Sequence, residues 1–230
     1  NEGEINNSYS NSAVTGTANG LGGVVGVNNG KVNLVDSLGV TNGANSSQVG
    51  GIIGVNNGTM NSGYNESIVN GQSNVGGIIG VNNEGKEVTN VVNATRVTGD
   101  ETNGKYVGGL IGSNSGKVAN GRNNGEITGN QYVGGLVGSN EADSTLTNLV
   151  NDSSASITGE MYVGGIAGSN AGTITAMNED TEEGSDTLLI NRGTITGQQY
   201  VGGVAGVNEA GGRIENTNND VELFVKDGTK

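Results

Sequence analysis

Tyr106, Tyr132, Tyr162 and Tyr200 recur at intervals of 26, 30 and 38 residues, each directly before a Val-Gly-Gly. Evenly spaced aromatic rings can do one of two things. Exposed, they bind sugar rings; packed, they cover a turn and leave the hydroxyl in water. Packing is the simpler reading. If the chain has a ligand face, these four tyrosines are its best residues. A second candidate is acidic: Glu179, Asp180, Glu182, Glu183 and Asp186 fall in one stretch, and Ca2+ takes several carboxylate oxygens. Their spacing matches no EF-hand, and the Gly-Gly-X-Gly-X-Asp repeat of calcium-binding β-rolls is absent. A solvated acidic loop is therefore the simpler reading, with Ca2+ as the alternative and no other cofactor implied.

Other chemistries have less support. There is no His and no Cys, so acid–base work would fall to carboxylates, Lys or Arg. No carboxylate pair recurs on one strand, and the expectation is a non-enzyme. The net charge of −13 opposes binding to nucleic acid, whose phosphates need a basic surface. It also opposes an anionic membrane surface, and no apolar run reaches transmembrane length. A Gly-rich phosphate loop fails because no helix and no Lys-Ser or Lys-Thr follows the glycines. The column Thr15, Thr41, Thr98, Thr128, Thr158 and Thr196 raises ice binding, but only a single rank of threonines exists.

The elements that would position these residues are set by a phrase repeated seven times: Val-Gly-Gly, two aliphatics, Gly, Val or Ser, then Asn. Its copies are Leu21–Asn28, Val49–Asn56, Val75–Asn82, Val107–Asn114, Val133–Asn140, Val163–Asn170 and Val201–Asn208. An internal period of this length marks a stacked repeat architecture. Two further strand signals accompany the phrase. One is an aliphatic: Val32, Met60, Val88, Val118, Leu146, Ile174 and Ile214. The other is Val or Ile before Thr-Gly, as at Val97, Ile127, Ile157 and Ile195, with Val40-Thr41 and Val69-Asn70 as looser copies. The shortest coil takes 26 residues. Such a unit cannot bury its own apolar side, so like strands must stack on like strands. The expected fold is all-β, a right-handed parallel β-helix with three sides, the hand following the general preference of parallel crossovers.

One solenoid domain over 1–230 is expected, with a partial first coil over 1–20 and a last partial coil or cap over 209–230. The chain starts at Asn1 rather than Met and opens mid-coil, as a piece cut from a longer solenoid would. The phrase's terminal Asn28, Asn56, Asn82, Asn114, Asn140, Asn170 and Asn208 are expected to form a structural hydrogen-bonded ladder. The paired glycines are expected to permit a bend or a positive φ. The fifth position (Val25, Ile53, Ile79, Ile111, Val137, Ala167, Ala205) stays open. Strand alternation would put it outside as an apolar stripe, while a corner or bulge would turn it inward beside the fourth.

The phrase Val-Gly-Gly-Leu-Val-Gly-Ser-Asn at Val133–Asn140 resembles the GLUG repeat of large secreted or surface-anchored bacterial proteins. The resemblance runs from Val14 to about Ile214. It implies an extracellular solenoid on the bacterial cell surface, acting as an adhesin stalk or adhesive module. Its partner would be a host-surface protein or glycan, or the same protein on a neighbouring cell. The alternatives are a spacer in a surface-anchored enzyme such as an IgA-type metalloprotease, and a carbohydrate-binding or carbohydrate-active β-helix. The His-Glu-X-X-His of the metalloproteases is absent from this chain.

Overall fold

A computed structural model describes residues 1–176, 189–220 and 223–225. Among them there is no helix, and every strand pairing is parallel. The strands form three sheets of seven, ten and thirteen members. Each strand pairs with its equivalent one coil away, so the chain is a parallel β-solenoid with a coil spacing of about 4.8 Å.

The repeated phrase is not one strand, as its unbroken apolar look suggests. It turns a corner. Its leading Val-Gly closes the thirteen-stranded sheet, as in Lys105–Gly108 and Gln131–Gly134, and its last four residues make the seven-stranded sheet, as in Ile111–Asn114 and Val137–Asn140. The paired glycines sit at this corner. Among the described glycines only Gly20, Gly85 and Gly211 have positive φ, so the pairs are there for closeness rather than for handedness. A Cβ on Gly108 would lie 2.2 Å from the Ile111 carbonyl oxygen, and one on Gly109 would lie 2.3 Å from that of Gly135.

The corner settles the fifth position. The amides of Ile52 and Ile53 both donate to the Ile78 carbonyl, at 3.0 Å each, and those of Ile78 and Ile79 both donate to Leu110, at 2.9 and 3.0 Å. Two consecutive amides thus share one carbonyl of the next coil, while the coils stay paired one residue to one, with Ile53 opposite Ile79. Alternation is suspended there, and Ile52 and Ile53 both point inward with no exposure. Ile78, Ile79, Leu110, Ile111, Leu136 and Val137 follow the same pattern.

The ten-stranded sheet carries the aliphatic column in the expected register, with Val32 opposite Met60, Met60 opposite Val88, and Val118 opposite Leu146. A residue in left-handed conformation interrupts these strands two positions later, at Asn7, Leu34, Ser62, Asn90, Asn120, Asn148 and Asn216, with φ between 48° and 61°. That kink turns residues three apart to the same side, so Val32 and Val35, Val88 and Val91, and Leu146 and Leu149 are all buried.

These side chains form the larger of two cores. The smaller lies within the thirteen-stranded sheet, where Val69, Val97, Ile127, Ile157 and Ile195 meet Val75, Val107, Val133 and Val163. Each buried aliphatic contributes roughly 1.5–3 kcal/mol before chain entropy is subtracted. One threonine belongs here. Thr41 pairs with Val14 and Val69, while Asn42 pairs with Thr15 and Asn70. Thr41 is therefore not a member of the threonine column but an interior residue, fully buried. The spacing misplaces it by one residue because Val40-Thr41 mimics the Val-Thr step of other coils. At the far end, Leu223–Val225 pairs with Ile195–Gly197, in the register of one further coil.

Candidate functional site

Three columns of polar side chains run along the solenoid. The first is the phrase's Asn. Asn28 donates to Asn56 at 2.8 Å, Asn56 to Asn82 at 2.8 Å, Asn82 to Asn114 at 2.9 Å, Asn114 to Asn140 at 3.0 Å, Asn140 to Asn170 at 2.8 Å, and Asn170 to Asn208 at 2.8 Å. At Asn56 the second amide proton reaches the Gly58 carbonyl at 3.2 Å, and the side-chain oxygen also accepts from the Gly58 amide at 3.4 Å. A primary amide offers two protons and two lone pairs. At Asn56 all four are committed within the fold, so nothing remains there to bind a ligand.

A second ladder of the same kind escaped the reading by spacing. Asn65, Asn93, Asn123, Asn151, Asn191 and Asn219 donate each to the next at 2.8–3.0 Å. The signal was present: Asn65, Asn93, Asn123, Asn151 and Asn219 each lie five residues after the strand aliphatic. In the preceding coil, Ser37 occupies the equivalent position.

The third column is aromatic. Tyr106, Tyr132, Tyr162 and Tyr200 stand ring on ring, with centroids 5.1, 4.7 and 4.9 Å apart and interplanar angles of 26°, 10° and 9°. Their backbone is left-handed, φ 55–62°, as it is at Gln48 and Asn74 in earlier coils. Such a conformation costs a Tyr about 1–2 kcal/mol, and the stack offsets part of it. The stacking also decides what the column can offer. Ring faces inside the row are covered by the neighbouring rings, so the row presents edges and hydroxyls. Tyr200 is 60% exposed.

The seventh phrase position runs beside this column. At Gly20, the glycine that occupies the column's place in the first coil, a Cβ would come within 4 Å of both Val27 and Val55. Beside the first three tyrosines that position is Ser: Ser113, Ser139 and Ser169, paired in register. The Ser169 hydroxyl donates to Ser139 at 3.0 Å, and Ser139 donates to the Glu141 carboxylate at 2.6 Å. A shallow groove with Asn83, Glu84, Ser113, Glu141 and Asp143 on its walls lies alongside. Burial pushes the Tyr106 phenol above its usual value, with Tyr132, Glu141 and Glu209 adding to the shift. Burial does the same to Tyr132, assisted by Tyr162 and Glu209.

Among the described residues no cluster of three or more His, Cys, Asp or Glu could hold a metal ion. The acidic stretch with Glu179, Asp180, Glu182, Glu183 and Asp186 lies outside the described residues. Among the described residues, too, no helix is long and apolar enough to cross a membrane.

In comparison with known proteins, residues 129–158 match the family described as the GLUG motif. That span runs from the end of one Thr-Gly strand through the phrase Val133–Asn140 to the next Thr, one coil in full. The other six phrases stack on it in register. No curated protein and no solved structure matches the chain.

Proposed function

We propose, from the GLUG-motif coil and its in-register copies, that this chain is a non-catalytic rod segment of an extracellular bacterial surface protein. It serves as a stalk or adhesive module that reaches a host surface, a glycan or a neighbouring cell. The observation carrying this reading is the continuous stack itself. Two largely buried Asn ladders and parallel pairing of each coil with the next make a stiff element whose length grows by about 4.8 Å per coil. Such a repeat suits projection, and the GLUG motif is common in extracellular proteins.

Within that reading the tyrosine row favours a stalk, or contact with a protein surface, over stacking on sugars, because its inner ring faces are already covered. A spacer beside an enzyme domain is the second reading, and the covered ring faces favour it equally. Beads coated with the 230-residue chain, offered to glycan arrays, matrix proteins and epithelial cells, separate an adhesive module from a stalk or spacer. Saturable attachment competed by soluble protein supports an adhesive module. Absence of attachment assigns the segment to the stalk or spacer. Release of sugars from polysaccharides, lost on single carboxylate substitutions, would overturn both.

A further inference from the structure

The tyrosine row has a chemical property that neither a stalk nor an adhesive face requires. Tyr132, Tyr162 and Tyr200 are related by whole-coil steps, and their rings lie within 10° of parallel. A whole-coil step between near-parallel rings leaves like atoms about one centroid spacing apart, 4.7 and 4.9 Å, the carbons ortho to the hydroxyl among them. The partners are far apart in sequence, 30 and 38 residues, yet adjacent in space. Their surroundings are open on one side: Tyr106, Tyr132 and Tyr162 are half-buried and Tyr200 is exposed. The remaining described tyrosines are placed differently. Tyr9 and Tyr64 share a column but are separated by Asp36, one full coil between them, and the Tyr64 hydroxyl donates to Glu66 at 3.2 Å.

We propose that the row is a preformed site of oxidative modification, where dityrosine bonds join consecutive coils when a peroxidase-class one-electron oxidant acts with hydrogen peroxide. Each of two neighbouring phenols loses one electron to the oxidant and its hydroxyl proton to water. The two radicals carry spin density on their ortho carbons, which couple to form one carbon–carbon bond. The hydrogen on each coupled carbon then moves to the oxygen of its own ring and restores both phenols. Two electrons and two protons leave in all, and one hydrogen peroxide takes them up as two waters. The stack supplies proximity: two rings held in contact need no diffusional encounter, which raises their effective concentration far above that of free partners. The tightest pairs, Tyr132–Tyr162 and Tyr162–Tyr200, couple first. Tyr106–Tyr132, tilted by 26°, follows.

The test is peroxidase and hydrogen peroxide acting on dilute protein, with the monomer recovered by gel filtration. Cleavage after glutamate separates Tyr132 from Tyr162 at Glu141 and Glu160, so coupled peptides can be assigned by mass. The expected products are monomeric chains with dityrosine fluorescence and peptide pairs Tyr132–Tyr162 and Tyr162–Tyr200, each lighter by two hydrogens. Tyr162→Phe keeps the ring in the stack and removes both pairs, leaving Tyr106–Tyr132. Unfolding in urea before oxidation abolishes the selectivity. Dityrosine found only in covalent dimers, couplings that involve Tyr9 or Tyr64 as often as the row, or an unchanged pattern in urea would each overturn the proposal.

Discussion

The side-chain amide of Asn56 donates to the side-chain oxygen of Asn82 at 2.8 Å, across two coils, with both residues fully buried. Asn28 closes on Asn56 from the other side at the same distance. Replacing Asn56 by Ala removes one rung and leaves an Asn28 proton, the Asn82 oxygen and the Gly58 amide without partners in a dry interior. Unsatisfied buried groups cost about 1–3 kcal/mol each. Partial relaxation brings the expected loss to about 2–4 kcal/mol, read from urea denaturation of Asn56→Ala against the parent.

Thr41 gives the opposite sign. Its hydroxyl is buried and has no hydrogen-bond partner, and its register partners in the adjacent coils are Val14 and Val69. Thr41→Val replaces the unpaired hydroxyl with a methyl of the same shape. A gain of about 1–2 kcal/mol is expected, measurable as a higher thermal midpoint. A lower midpoint would mean that the hydroxyl has a role the interior packing does not reveal.

Leu34 sits at φ 53° in a column where Asn7, Asn90, Asn120, Asn148 and Asn216 share the left-handed conformation, and it is 52% exposed. Asn tolerates this region better than Leu. Leu34→Asn is therefore expected to stabilise by about 1 kcal/mol. Leu34→Val, β-branched at the same φ, should destabilise. The ordering of the three midpoints is the check.

Gly138 shows why the sixth phrase position is always Gly. A Cβ there would lie 2.4 Å from the Tyr106 carbonyl carbon and 2.5 Å from both the Gly112 oxygen and the Val107 nitrogen. These are backbone atoms, fixed by the sheet, and cannot rotate away. Gly138→Ala should cost about 3 kcal/mol or prevent folding. Gly3→Ala, where nothing lies within 4 Å, should be neutral.

Acid stability depends in part on Asp152. Burial alone would raise its carboxyl, but the Ser153 hydroxyl, the Ser153 and Ser154 amides and the Arg122 guanidinium together hold it below its ordinary 3.8. A depressed folded value means that its contribution is present above the unfolded value and is lost as pH falls through the folded one. Asp152→Asn should therefore lower stability by a roughly constant amount above about pH 4 and converge on the parent as pH falls below it. Urea midpoints for the two proteins across that window give the answer.

Much of this protein could be read from spacing. The aliphatic column Val32 to Ile214 and the Asn28 to Asn208 ladder have the register their offsets implied. The opening strand extends that column by one coil, with Ile5 opposite Val32. The misreadings share one cause. The step Val40-Thr41 points Thr41 to the threonine column, and the apolar run of the phrase points to one strand, because both inferences assume that local pattern and strand alternation hold throughout. Alternation fails wherever two amides share one carbonyl, as at Ile52 and Ile53, or wherever a left-handed residue interrupts a strand, as at Leu34. The second ladder was missed for another reason: Asn is so common in this chain that a constant five-residue offset did not stand out.

The amino-acid sequence by itself determined the period, the parallel stacking and the membership of most columns, because in a repeated coil a fixed offset is the register. Tertiary structure alone decided which way each column faces. It put both Ile78 and Ile79 inside and stacked the tyrosine rings on one another along the rod. Direction depends on shared hydrogen bonds between coils and on the sign of φ at single residues, and a side chain meets its partner only when the next coil has been laid upon it.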